Sequence, residues 1–282
     1  MIRFERPVTE LIRVRRSWRS FVEDPVPADE KDRIQAFISG LDASPFGSRV
    51  RFAVVEADRS RGKRPQGTYG VVTGASTFLV GILTPAEKGF EDFGYLFEAT
   101  VLFITSLGLG TCWMGGTFDR SLFSGMTRLA GGEFVPAISP IGIPSEKRSL
   151  VDTAFIMTAG SRRRKTWEDI FFQDAFGNRL EKASAGPYGQ SLEMVRLAPS
   201  ASNKQPWRVV QKDGRFHFYL TRALGYRRFF SQADLQRIDM GIAMFHFAQS
   251  AREAGLAGTW EDFDPKISAL PPRTEYVISW AT

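Results

Sequence analysis

Three short stretches hold residues whose types and spacing could do chemistry. The first is "RRSWRSF" (Arg15–Phe21), which sets Arg15, Arg16, Ser17 and Arg19 within five residues. Planar guanidinium forks match phosphate oxygens two at a time, so the cluster suits a phosphorylated ligand. The solvated basic end of a helix would look the same. The second is "APSASNKQPW" (Ala198–Trp207). Pro199 ends a helix there, and Ser200, Ala201, Ser202, Asn203 and Gln205 form a loop of hydroxyls, amides and backbone N–H groups. Those groups suit a ring rich in carbonyls and nitrogens, or a polyol chain. An ordinary turn into a strand at Trp207 is the other reading. The third is "GLGTCWMGGTF" (Gly108–Phe118), expected to be a strand that ends at Gly115 and Gly116. Backbone without a Cβ can approach a ligand closely, although a tight bend beside the core needs the same residues. Cys112 has no histidine near it in sequence and reads as a small buried apolar residue, not a nucleophile.

Other chemistries lack their residues. Two histidines and one cysteine cannot make a usual structural zinc site, and no metal is expected. No HExxH, CxxC, Walker A loop, GxSxG elbow or strand-following GxGxxG occurs. A net charge of +6 favours anionic partners: nucleic acid, acidic membrane or phosphorylated small molecules. "SRRRK" (161–165) and "YRRFF" (226–230) are the features that favour nucleic acid. No reader helix accompanies them, so no nucleic-acid partner is expected. A single cysteine permits no intrachain disulfide and points to a reducing, cytoplasmic setting. The N-terminus alternates charged and apolar residues, unlike a secretory leader. The longest apolar run, "ATVLFITSLGLGTCWMGG", is broken by glycines and follows Glu98; it reads as buried, and no membrane partner is expected.

The elements that must position these stretches occur twice. "GLGTCW" (108–113) returns as "GLAGTW" (255–260), 147 residues later in a chain of 282. Asp92–Trp113 and Asp239–Trp260 align without gaps and share five of 22 positions: the Asp, Gly94/Gly241, Gly108/Gly255, Leu109/Leu256 and Trp113/Trp260. Each copy reads as a buried helix of about four turns, stopped by a glycine, then a β-like run to Trp. Upstream, "PADEKDRIQAFISGLDASP" then "VRFAVVEA" answers to "GQSLEMVRLAPS" then "QPWRVVQK". "TGASTFLVGILT" takes the place of "RFHFYLTR". Each half therefore reads helix, strand, strand, helix, strand. The expected architecture is α+β, two degenerate repeats packed as an intramolecular pseudo-dimer. Residues 1–170 form the first repeat with a basic connector, and 171–282 the second, shorter one.

Taken together, the three motifs resemble the FMN-dependent nitroreductase family, whose members carry "RRSxR", "APSxxNxQPW" and "GLGTCWxGxF". "PIGIPSEKR" (140–148) and "SRRRKTWEDIFF" (161–172) agree more loosely, so the resemblance spans most of the chain. The order departs from the family's: here "APSASNKQPW" follows "GLGTCWMGG", and the earlier position holds "LDASPFGSRVRF". Nitroreductases are usually dimers with the flavin at the subunit interface. The chain is therefore similar to a single-chain, fused-dimer subgroup, and would need no second copy.

The resemblance implies FMN as cofactor. Arg15, Arg16, Ser17 and Arg19 would bind its phosphate and ribityl chain, helped by Arg162 and Arg164. Pro199, Ser200, Ala201 and Asn203 would line the flavin from the second half. Met114, Gly115 and Gly116 would run beside the ring, with a glycine N–H near N5. The implied reaction is ping-pong hydride transfer from NAD(P)H through flavin N5 to a small acceptor such as a nitroaromatic or quinone, without a catalytic side chain. The alternative is a flavin- or nucleotide-binding protein without turnover. One flavin per chain is expected, because the reverse site would place Glu261 and Asp262 where Met114 and Gly115 stand.

Overall fold

The computed structural model describes residues 2–41, 44–58, 65–146, 163–224 and 232–282. The chain divides into two compact units, Met1–Ser161 and Arg162–Thr282. In the first, α1 (Val8–Val14) and α2 (Ala28–Ser39) precede β1 (Val50–Glu56) and β2 (Thr77–Leu83). Then come α3 (Gly89–Ser106), β3 (Gly110–Thr111), α4 (Arg120–Met126) and β4 (Ile138–Gly142). Pro7 and Pro27 stand at the starts of α1 and α2. Their fixed φ suits a helix start, where the missing N–H costs nothing.

Almost every residue of α3 is buried, as is all of β2. An all-round apolar helix belongs against a central strand, not on a surface. Gly81 makes that approach possible: a Cβ there would lie 2.5 Å from the Phe93 ring and 2.8 Å from the Phe97 ring. The strand order is β1-β2-β4-β3, all antiparallel.

The second unit holds β5 (Phe171–Gln173), α5 (Gly189–Leu197), β6 (Trp207–Lys212), β7 (Arg215–Thr221), α6 (Leu235–Glu253), β8 (Thr259–Glu261) and β9 (Thr274–Ala281). Its sheet runs β5-β6-β7-β9-β8, with only the β5–β6 pair parallel. Residues 171–173, just after the expected basic connector, thus form an edge strand. The charges around it hide an apolar set, for Trp167, Ile170 and Phe171 are all buried and the Trp167 indole donates to the Leu180 carbonyl at 2.6 Å.

The two units repeat one topology. Helix, strand, strand, helix, strand occurs as α2-β1-β2-α3-β3 and as α5-β6-β7-α6-β8. In each, the last strand inserts second from the edge, giving β1-β2-β4-β3 and β6-β7-β9-β8. The registers match too. Val50 pairs with Leu83 and Trp207 with Leu220; shifting β1 by 157 and β2 by 137 carries the first ladder onto the second. The Met114–Ile138 bridge falls on the Glu261–Ser279 pair.

The twice-written turn is a twice-built helix stop. Gly108 and Gly255 adopt left-handed φ values of 77° and 74°. The N–H of Gly108 bonds the Thr105 carbonyl, and that of Leu109 the Ile104 carbonyl. Gly255 and Leu256 do the same with Arg252 and Ala251. This is the double closure of a Schellman motif, which favours a residue without a Cβ at the left-handed position.

Candidate functional site

In the first unit the sheet brings "RRSWR" beside "GLGTCW". Arg15 ends α1 in an extended conformation, and the chain then runs along β3. Ser17 bridges Thr111 in parallel, and the Trp18 N–H donates to the Thr111 carbonyl at 2.8 Å. Farther on, Thr73 N–H donates to Arg19 carbonyl at 2.8 Å and Phe21 N–H to Thr73 carbonyl at 2.9 Å. Glycines permit this close approach. A Cβ on Gly110 would lie 3.1 Å from the Trp18 Cβ, and one on Gly74 would lie 2.0 Å from the Phe21 carbonyl oxygen.

The site residues differ in exposure. Arg16 is exposed, whereas Ser17 and Arg19 are half-buried. The Arg15 side chain is only 7% exposed and stands 3.9 Å from Oε1 of Glu98, which is 0% exposed. Oε2 of Glu98 accepts from the Trp113 indole at 2.7 Å. Among the described residues, the buried Arg15 Nε and Nη1 have no hydrogen-bond partner. A buried donor without an acceptor is costly, so an acceptor placed there would be stabilising.

The expected strand through Gly115 is not what forms. β3 stops at Thr111, and Met114 rejoins the sheet by one bridge to Ile138, at 2.9 and 3.0 Å. Gly115 and Gly116 form a bend, with Gly116 exposed. Arg120 holds the bend by donating to the Gly115 carbonyl. Burial pushes the Arg120 guanidinium below its usual range. Cys112 is buried, and its N–H donates to Ser139 Oγ at 3.0 Å.

In the second unit the basic stretch and "APSASNKQPW" are knitted together. α5 stops at Leu197 and Pro199 is buried. Ser202, Asn203 and Gln205 then take left-handed φ values of 47°, 53° and 47°. Non-glycine residues there cost of order 1–3 kcal/mol each unless the surroundings over-determine them. Hydrogen bonds do so here. Asn203 Oδ1 accepts from Arg164 Nη1, and its Nδ2 donates to the Arg163 carbonyl at 2.8 Å. Gln205 Oε1 accepts from the Lys165 N–H at 2.7 Å, and the Gln205 N–H donates to Ser200 Oγ at 2.8 Å. Burial, with the charges of Arg208 and Lys204, pushes the Lys165 amine down to about 8. Arg162 and "YRRFF" (226–230) lie outside the described residues.

Both units tie the loop before their first long strand to a buried aspartate on the central helix. Asp92 accepts from Ser44 Oγ at 2.9 Å, Phe46 N–H at 2.9 Å and Ser48 N–H at 2.8 Å. Asp239, its match in α6, accepts only the Ala201 N–H, at 2.9 Å; its Oδ2 has no partner among the described residues. Burial raises the Asp239 carboxyl well above the usual range. The Ala201 N–H opposes that shift, and the charge of Asp234 adds to it. A carboxyl raised on folding contributes stability fully below its unfolded pKa, and loses it as pH rises through the folded value. Asp239→Asn keeps an acceptor for Ala201 and cannot ionise. It should therefore flatten the fall in melting temperature that sets in as pH rises above the unfolded carboxyl value of about 3.9, a fall worth about 1.4 kcal/mol per pH unit up to the folded pKa. Melting curves across pH check this; an equal fall in wild type and variant would contradict it.

The matching position in the second copy is differently furnished. Glu261, opposite Ser279, sits 3.9 Å from Arg215. Glu98 and Asp239 were not among the sequence candidates; Gln205 was, as one of the two loop amides, but not for its bond to the Lys165 N–H. The signal for the two acids was an ionisable residue inside an apolar helix. Among the described residues no cluster of three or more metal-ligating side chains occurs, and no helix is long and apolar enough to cross a membrane.

A family model described as "Putative TM nitroreductase" matches residues 7–251. Among solved structures, the chain is similar to one described as a putative nitroreductase from Thermotoga maritima. Identity is 19% and the TM-score 0.62, over 99% of this chain and 94% of that one. It is also similar to an FMN-dependent nitroreductase from Clostridium difficile R20291, at 23% identity and TM-score 0.39, over 49% of this chain and 88% of that one. A nitroreductase family protein from Clostridium novyi NT stands at 22% identity and TM-score 0.40, over 51% and 90%. No curated protein matches the chain.

Proposed function

Because the chain belongs to the TM nitroreductase family, we propose that it is an FMN-dependent oxidoreductase, taking hydride from NADH or NADPH and passing it to a small acceptor such as a nitroaromatic or quinone. The observation that carries this reading is the buried Arg15 fork, open at Nε and Nη1, beside the strand that leads to Met114. A buried guanidinium with two donors unbonded among the described residues fits a phosphate, which FMN has and riboflavin lacks.

Arg15, Arg16, Ser17 and Arg19 hold the phosphate and ribityl chain in this reading, helped by Arg162 and Arg164. Pro199, Ser200, Ala201 and Asn203 line the flavin, and their strained loop is pre-set by Arg163, Arg164 and Asp239. Such pre-setting lowers the ordering cost of binding. Met114, packed into the core, anchors the Gly115–Gly116 bend, whose N–H groups have no acceptor among the described residues. A fixed backbone donor there would bias the charge at flavin N5. When bound, FMN itself supplies the hydride carrier, so the site needs no acid–base side chain. The buried Cys112 suits a reducing, cytoplasmic setting.

Purified protein titrated with FMN, then with NADH or NADPH, tests the reading. Bound flavin should bleach without an acceptor, and turnover with a quinone should give the parallel lines of a ping-pong carrier. Flavin that binds but does not bleach would support a flavin-binding protein without turnover instead.

A further inference from the structure

The repeat supplies an internal control for the buried acid in α3. The shift of 147 that carries Asp92 to Asp239 and Trp113 to Trp260 carries Glu98 to Phe245. In the second unit Trp260 is part of an aromatic cluster, 5.0 Å from Trp280 and 5.2 Å from Phe218, and its indole nitrogen is buried without a partner among the described residues. In the first unit Trp113 packs 4.3 Å from Phe97 and donates to Glu98. The same topology therefore forms with an aromatic residue at this place. Desolvating a carboxylate in a helix core is costly, and the fold does not require it. The acid stands only in the copy that carries "RRSWR".

We infer that Glu98 is a positioning residue for the phosphate end of the proposed flavin site, acting through Arg15. This rests on the FMN reading. One carboxylate does two things: Oε2 fixes the Trp113 indole at the start of the Met114–Gly116 bend, and Oε1 draws the Arg15 guanidinium from 3.9 Å. Neither Nε, the atom nearest Oε1, nor Nη1 has a hydrogen-bond partner among the described residues. The carboxylate thus draws the guanidinium without accepting a hydrogen bond from it, and leaves its donors for phosphate.

Coulomb's law alone gives the opposite expectation. Removing a carboxylate near an anion site should strengthen anion binding. Positioning requires that it weaken. Glu98→Gln keeps an acceptor for Trp113 and loses the charge. It should reduce FMN affinity about tenfold and leave riboflavin affinity unchanged, narrowing the preference for FMN. In an Arg15→Ala background the same substitution should have no further effect, since the two act as one unit. The double variant removes both buried charges together, so it also guards against misfolding of the single one. Unchanged or tighter FMN binding by Glu98→Gln would overturn the inference. So would an equal loss for both ligands, or effects that simply add. Wild-type protein that binds no FMN would instead overturn the functional reading, and this inference with it.

Discussion

Replacing Arg15 with alanine should weaken FMN binding by about a hundredfold and leave riboflavin binding nearly unchanged. Hydrogen bonds to charged groups contribute about 1.5–3 kcal/mol each, and every 1.4 kcal/mol is about tenfold. The two Arg15 donors without a hydrogen-bond partner among the described residues are buried, where charge is poorly screened. Arg16 is exposed, so Arg16→Ala should cost less than about tenfold. Fluorescence titration with both ligands at fixed salt measures the difference. A loss shared equally by FMN and riboflavin would mean that Arg15 shapes the unit without meeting the phosphate.

Asn203→Ala should weaken both ligands by about tenfold or more, although it lies in the other repeat. Its amide holds the loop at Arg163 and Arg164. Its φ of 53° suits asparagine better than alanine. Losing two hydrogen bonds and adding left-handed strain removes about 2–3 kcal/mol of loop ordering. In the proposed assignment this loop lines the ring and ribityl chain, which both ligands share, so the phosphate preference should persist. Glu261→Ala should leave binding unchanged, because the second copy lacks the other two motifs. Isothermal titration of these two variants, beside Arg15→Ala, separates these patterns. An Asn203 variant that binds like wild type would remove the loop from the site.

Much of the repeat was legible because its punctuation is physical. A glycine required by left-handed φ at 108 and 255, with Leu and Trp following, marks the same helix stop twice. Long periodic elements such as α3 and α6 were legible for the same reason. Sheet order was not, since the placing of β4 and β9 one strand in from the edge depends on long-range pairing. β3 was read too long because small residues in "GLGTCWMGG" serve a bend as well as a strand. β5 was hidden by the charge around Phe171.

Motif residues were legible as chemistry, but their supports were not. Glu98 and Asp239 sit in helices whose apolar neighbours set the reading, and only the folded chain shows what their carboxylates touch. Gln205 was visible as an amide, yet its task of receiving the Lys165 N–H joins residues 40 apart. Hydrogen bonds over such separations leave no local periodicity.

The number of flavins bound per chain tests the central claim most directly, because the three motifs are divided between two copies and occur once each. Titration of the apoprotein with FMN, followed by quantification of the bound flavin against protein by amino-acid analysis, gives that number. One FMN per chain is expected; two per chain, or none, would contradict the assignment.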